Sequence, residues 1–422
     1  HFVYPLSKKI RRYEYGLNFL KKGSLETPQR LLNVIKQRSS DDVFLFSGAL
    51  PAMIKQTPVV LSETFDITKP FGKWKLFFRD PPFKYYTHTM ASASDFYDKS
   101  LSNETLQLVR GLYSSVQYHS PQPPMYVVAF PNAVISVGHA ITCDGSVYTA
   151  GGCVKRWYLP DISESEQIDW RVVAIPLCDE WCRVYFHFTH EHLPRLVPVY
   201  KVLVEREDAV LVLQAGFKEF QTQWLTDVLG IPSSRILYSK IPVHGRLVLY
   251  PMPDVCAVVF SHLLYTMRGI VFKRLHLTPP PPVNERKLHL FFAERQGLSR
   301  MPTNYYGLKE KIILEYNDVF TFSDNAVDMN VSEQVRAFYR ADIVLGPHGA
   351  NLANLMWMRN GTHLIEIMSY IDGNMCYHTT ASKVNVTHHI VFHNATKNGR
   401  YLLEYDYLKR HIDFAINAFK KN

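Results

Sequence analysis

The chain has 422 residues, 47% of them hydrophobic and 13% aromatic. That is enough apolar material to exclude global disorder, and the length suits two domains of roughly 100–200 residues each. The formal charge is +9, but its densest cluster is only Lys8-Lys9-Ile10-Arg11-Arg12. No nucleic-acid partner is therefore expected, and the positive balance suits a pocket for an anionic small molecule.

The first 120 or so residues carry no readable pattern and are taken as an N-terminal extension. Short strands follow at 125–130 and 134–136, punctuated by Asp144-Gly145 and Gly151-Gly152. Residues 184–204 repeat apolar side chains at helical spacing, 209–214 read as a compact apolar strand, and 217–229 as an amphipathic helix stopped by Gly230. Residues 246–250 form a further strand. Pro279-Pro280-Pro281-Pro282 is stiff and extended and is the best linker in the chain. It divides an N-terminal domain (1–280) from a C-terminal domain (285–422). Beyond it, strands at 287–293, 319–322, 343–346 and 364–367 alternate with helices at 308–316, 331–340 and 351–358, and an amphipathic helix closes the chain at 401–420. Such alternation means parallel βαβ units, so the expected fold class is α/β, with two doubly wound domains facing each other across a cleft.

Gly346-Pro347-His348-Gly349-Ala350-Asn351 ends the strand at 343–346 and begins a helix. Free N–H groups at a helix start bind anions, and small residues at Gly349 and Ala350 let a phosphate approach the backbone. His348 is placed to donate to a phosphate oxygen. The same segment also fits an ordinary strand–helix turn with a capping histidine. Arg295, Ser299 and Arg300 lie just past the strand at 287–293, where open α/β sheets bind ligands, and a guanidinium fork suits phosphate. Glu366 stands in the apolar run Leu364-Ile365-Glu366-Ile367, where a carboxylate must be paired or bind something. Tyr370, Asn374 and Tyr377 follow and are candidates for lining a sugar or acceptor pocket.

The segment His187-Phe188-Thr189-His190-Glu191-His192-Leu193-Pro194-Arg195 places His187, His190 and Glu191 on one helical face. Its order matches neither H-E-x-x-H nor H-x-x-E-H, so a zinc hydrolase is disfavoured. His187 with Glu191 is a candidate general base, with Asp144 and Asp179 as alternatives; a helix that merely packs the domain is the competing reading. His190 and Arg195 are candidates for the acceptor pocket.

Three ordered segments resemble glycosyltransferase family 61: His187 to Arg195; Phe292-Ala293-Glu294-Arg295-Gln296-Gly297-Leu298-Ser299-Arg300 with Asn304; and Glu333-Gln334-Val335-Arg336-Ala337-Phe338 leading through Ala341-Asp342 to Gly346–Asn354. The family includes plant β-1,2-xylosyltransferases and animal enzymes that transfer N-acetylglucosamine. The resemblance implies a GT-B fold and inverting transfer from a UDP-sugar to a hydroxyl of a glycan or glycoprotein. It also implies that no bound metal or other cofactor is needed, and that Glu366 meets the ribose. The absence of a D-x-D pair agrees on the metal. A catalytically inactive nucleotide- or glycan-binding relative is the alternative.

Five sequons, at Asn103, Asn330, Asn360, Asn385 and Asn394, and an even count of six cysteines point to the secretory lumen, Golgi or endoplasmic reticulum. No apolar run reaches the ~18 residues that a membrane span needs. The chain opens on His1 with no visible signal peptide, so the only expected membrane attachment is an N-terminal anchor missing from this sequence.

Overall fold

The structure, a computed structural model, describes residues 169–421 apart from 179, 214–215, 253, 256–260, 296–298, 326–328, 370, 372–374 and 397. Before 169 it describes only strand residues at 59–60, 126–136, 139–141, 147–148 and 151–152. Asn103, Asp144, Asp179, Tyr370 and Asn374 lie outside the described residues. The chain divides into two compact units; the first includes 123–221 and 230–257, the second 222–229 and 258–422.

The first unit is built on a mixed sheet of β1 (Val59–Val60), β2 (Tyr126–Ser136), β3 (His139–Ile141), β4 (Val147–Tyr148), β6 (Asp169–Pro176), β7 (Ala209–Leu213), β8 (Ile236–Tyr238) and β9 (Val243–Met252). Its order is β4-β3-β2-β9-β6-β7-β8, with β1 paired to β2. Strands β9, β6, β7 and β8 run parallel. This half matches the expected βαβ pattern. Strands β1 to β4 and β9 pair antiparallel, which the sequence reading missed. The two short strands read at 125–130 and 134–136 are one strand, β2, continuous across Pro131. Two further strands, β5 (Gly151–Gly152) and β10 (Asp254–Val255), pair parallel.

The helical reading of 184–204 resolves into pieces. A turn of α-helix, α1 (Tyr185–His187), opens into a π-helical turn over Phe188–His192, a 3₁₀ stretch over Leu193–Val199, and α2 (Tyr200–Glu205). Pro194 and Pro198 remove backbone donors from this path, so a regular helix cannot run through. A disulfide between Cys178 and Cys182 closes the turn that precedes it. A similar opening converts α3 (Glu219–Thr222) into a π-helical turn over Gln223–Val228, and Gly230 terminates it at φ 67°.

The second unit holds five strands, all parallel: β11 (Leu288–Phe292), β12 (Phe320–Asp324), β13 (Ile343–Pro347), β14 (His363–Ser369) and β15 (Thr387–His393). Their order is β12-β11-β13-β14-β15. The first strand therefore lies between the second and third, and the connections leave β11 and β13 in opposite directions. That is the topological switch point of a doubly wound sheet. Helices α4 (Ser261–Arg274), α5 (Tyr305–Glu315), α6 (Val331–Arg340), α7 (Cys376–Lys383) and α8 (Tyr405–Lys421) complete the unit. Asn330 caps α6 by accepting from the Glu333 N–H, and the Glu333 carboxylate accepts from the Asn330 N–H in return. Val331, Val335 and Phe338 are buried on one face of α6, in keeping with the helix read at 331–340. Among the described residues no helix is long and apolar enough to cross a membrane.

Two polar clusters hold this unit together. The buried Asp342 carboxylate accepts from Arg286, Arg359 and the His289 N–H. Burial would raise it, but the two guanidinium groups and the amide hold it below the ordinary carboxylate range. Separately, α8 covers His363 and His389 with His411. His363 Nδ1 lies 2.9 Å from His389 Nε2, and the His411 ring lies 5.8 Å from that of His389. Asp342 faces His363, Arg410 and Tyr407 face His411, and His388 faces His389. Burial pushes the His363 and His411 imidazoles down to about 4, and His389 well below its ordinary range. These rings are neutral in the fold but protonate near 6.5 in an unfolded chain, so acid favours unfolding. Melting temperature should fall as pH drops from about 6.5 towards about 4, and His411→Phe should flatten part of that fall. A melt indifferent to pH across this window would show that the cluster is not buried in neutral form.

Candidate functional site

The site in the second unit begins at the carboxyl ends of β11 and β13. The two strand ends come unusually close because position 346 has no side chain: a Cβ there would sit 2.4 Å from the Ala293 carbonyl oxygen. The Ala293 N–H donates to Leu345 O at 2.8 Å across the same gap. Three residues further on, a Cβ at Gly349 would sit 1.9 Å from Nη1 of Arg295. That space is instead filled by the guanidinium, whose Nη1 donates to the His348 carbonyl at 3.0 Å. Gly349 itself is extended (φ 173°), so the reason for glycine here is room and not backbone strain.

A 3₁₀ stretch, Ala350–Trp357, starts immediately after, with Ala350 exposed at its first turn. Its far end is fixed by Arg268, which donates to the carbonyls of Met356 and Met358, and by Trp357 packing on Trp224 with ring centroids 5.0 Å apart. At its near end Tyr377 Oη donates to Gly349 O, and Asn351 Nδ2 donates at 3.3 Å to Glu294 O and to Asn325 Oδ1. Asn325 in turn braces the loop after β11, accepting from the Glu294 N–H and donating to Glu294 O. Lys309 closes the far side by bonding the carboxylates of Glu294 and Asp324.

Of the positions predicted for donor binding, Arg295, His348, Gly349, Ala350 and Asn351 are thus brought together. Arg295 is half-buried; burial and then the charge of Arg300 lower it from the usual arginine range. Arg300 lies in the left-handed region at φ 64°, uncommon for a side-chain-bearing residue, and its carbonyl accepts from Tyr401 Oη. Ser299 is half-buried beside it. Asn304 is structural: its side chain bonds both backbone groups of Leu403.

Glu366 has no exposed surface. Oε1 accepts from His348 Nδ1 at 2.5 Å and Oε2 from His388 Nε2 at 2.8 Å. Burial alone would raise this carboxyl, but the charge and hydrogen bond of His348, followed by those of His388, bring it down to about 2. Its two oxygens are thus committed to imidazoles, and it reaches the surface of the site through His348. His388 and its neighbour His378 gave no motif; their only sign in the sequence is polar residues inside an otherwise apolar strand and the helix before it.

In the first unit, His187 Nδ1 bonds Glu191 Oε1 at 2.7 Å within the π-helical turn. The Glu191 side chain is inaccessible while that of His187 is 18% exposed, so the imidazole is the part that a reactant can reach. The Trp181 and Phe186 rings lie against it, at 5.1 and 5.3 Å. His190 is buried, stacked on Phe186 at 4.4 Å and bonded to Thr189. Arg195 is buried too; its guanidinium donates to the carbonyls of Pro251 and Leu177. Both are packed into the unit and not presented to solvent. Among the described residues no group of three or more His, Cys, Asp or Glu side chains is arranged to hold a metal.

A parallel sheet with a small-residue turn and a guanidinium at its switch point is the kind of place where open α/β sheets bind ligands. Residues 185–365 match the family model Glycosyltransferase 61. No curated protein matches the chain. The matched segment contains His187, Glu191, Arg295, Ser299, Arg300 and His348 to Asn351, and ends one residue before Glu366.

The two glycines should fail differently when given a methyl group. In Gly346→Ala the clash is with backbone, so the fold itself should suffer, with a lower melting temperature. In Gly349→Ala only the end of a flexible arginine must move, so stability should be nearly unchanged while Arg295 leaves the His348 carbonyl. Thermal melts of the two variants check this; equal destabilisation would contradict the assignment of Gly349 to function.

Proposed function

We propose that the chain is an inverting, metal-independent glycosyltransferase of the GT-B type that uses a UDP-sugar donor and a hydroxyl acceptor on a glycan or glycoprotein. The observation that carries this reading is Arg295 seated on the carbonyl of His348, beside the free N–H groups that open Ala350–Trp357, within the matched segment. A diphosphate brought to this turn meets a guanidinium fork, backbone donors and the positive end of a short helix, all fixed before it arrives. N-acetylglucosamine and xylose are the sugars proposed.

The proposed reaction is a single displacement. The acceptor oxygen bonds to the anomeric carbon as the bond from that carbon to the phosphate oxygen breaks. The electron pair leaves with the diphosphate, whose growing charge Arg295, Arg300 and His348 offset. The acceptor proton goes to His187: a carboxylate at Glu191 can only accept from Nδ1, so Nε2 is the nitrogen that takes the proton. Glu191 orients the ring and stabilises the imidazolium, the part that a buried carboxylate plays beside a catalytic histidine. No step requires a metal ion, so activity should persist in EDTA.

The lumenal location stays part of the proposal. The Cys178–Cys182 bridge supports an oxidising compartment. Asn330, Asn360 and Asn394 are exposed, and Asn385 is partly so, leaving these sequons open to modification.

Donor binding and proton abstraction are separable by mutation. Arg295→Ala should weaken UDP binding by about tenfold or more, as expected for loss of a charge-assisted contact. Glu191→Gln should leave UDP affinity within a few-fold and lower kcat by about 10²-fold, the scale of general-base catalysis. Calorimetric titration and nucleotide-release assays read the two effects. A Glu191→Gln protein with unchanged turnover would remove the catalytic role from this pair, and an Arg295→Ala protein with unchanged UDP affinity would remove the donor assignment.

A further inference from the structure

Behind His348 the side chains continue in a row. Glu366 Oε1 takes a hydrogen bond from His348 and Oε2 one from His388; His388 Nδ1 then lies 3.1 Å from His378 Nδ1. His388, His378 and Glu366 are all buried. The row runs from β13 through β14 to β15 and α7, with Glu366 and Ile390 opposite one another in the β14–β15 register. Cys376 and Tyr377 on α7 also face Glu366; Arg295 and Arg300 face Tyr377, and Arg300 faces Cys376.

The hydrogens along this row can be assigned from chemistry. An ionised carboxylate only accepts, so His348 donates through Nδ1 and His388 through Nε2. When His388 is neutral, its Nδ1 lone pair accepts from His378 Nδ1–H. Nε2 of His348 accepts when that ring is neutral and donates when it is protonated. Only the donating form helps an anion.

We propose that His388, backed by His378, is a positioning residue for donor binding: it shares the Glu366 carboxylate with His348 and so sets the pH at which His348 presents a second N–H to the diphosphate. This rests on the assignment of the His348 turn to the donor. The direction follows from counting protons on the His348–Glu366 pair. The hydrogen bond from His388 stabilises the carboxylate most when His348 is neutral. Without it, the pair with no extra proton is destabilised more than the pair with one. Proton uptake then moves to higher pH, whichever of the two groups carries the proton.

The test is UDP affinity by calorimetry from pH 5.5 to about 9, a span chosen to bracket the titration of an ordinary histidine. Four proteins are needed: the unmodified chain, H388L, H388Q and H348Q. The terminal phosphate of UDP titrates in every case, and H348Q supplies that baseline. In the unmodified protein affinity should fall with rising pH beyond the baseline. In H388L the fall should move up by about one pH unit, the change expected when a carboxylate loses one of two donors. In H388Q, whose amide can still donate to Glu366 Oε2, it should return towards the original position. An H388L protein whose affinity drops equally at every pH, or whose profile is unmoved, overturns the proposal while leaving the donor site standing. An unmodified protein that does not bind UDP overturns the donor assignment and this inference with it. If H388L does not fold, H388Q and H378L supply the same comparison, with H378L expected to shift in the direction of H388L and an unmoved H378L profile counting against the row.

Discussion

Two missing side chains allow the ends of β11 and β13 to meet. At Gly346 any Cβ would strike the Ala293 carbonyl, and at Gly349 it would occupy the place of the Arg295 guanidinium. The rest of the second unit depends on this closeness. The parallel sheet reverses direction of winding between these two strands, and a doubly wound sheet opens a crevice at that place in any case. What the glycines add is the distance: they let a cation from one strand end sit on the backbone of the other. Under the proposed donor assignment these hydrogen-bond donors are held in place by packing before a diphosphate arrives, the condition under which such groups contribute most to transfer.

Around that contact the unit is braced in layers. Asn351, Asn325 and Glu294 tie the two loops, and Lys309 neutralises Glu294 and Asp324. Glu366 is held ionised out of reach of water by two imidazoles. Replacing a buried, paired carboxylate leaves its partners stranded, so this arrangement is expected to be costly to alter, by about 3–5 kcal/mol for loss of one partner. The first unit uses the same chemistry on a smaller scale, with Glu191 inaccessible and His187 partly exposed in a turn that is not a regular α-helix. Opening the helix by one residue re-aims a side chain, and π-helical turns recur at functional positions for that reason.

Much of this was legible in the sequence because it is written in local rules. Helix α6, the strand of β13 and the small-residue turn that follows are each set by neighbouring residues. So is the His187–Glu191 pairing, which needs only i, i+4 spacing. The antiparallel half of the first sheet was not legible, since β2 looks like two short strands interrupted by Pro131 and finds its partner β9 more than a hundred residues away. His388 and His378 were missed for a similar reason. Nothing local marks them; they matter because β14 and β15 lie side by side, which brings them to Glu366. Arg195, conspicuous in its motif, is spent on the carbonyls of Pro251 and Leu177. Its guanidinium joins the ends of two strands, a use that a linear pattern cannot distinguish from binding.

Amide hydrogen exchange with and without UDP shows whether the β11 and β13 strand ends form the donor site. If they do, exchange slows on addition of UDP in peptides covering 293–300 and 346–354, with little change at 185–205. Protection confined to 185–205, or no protection at 346–354 at a UDP concentration that saturates binding, would contradict it.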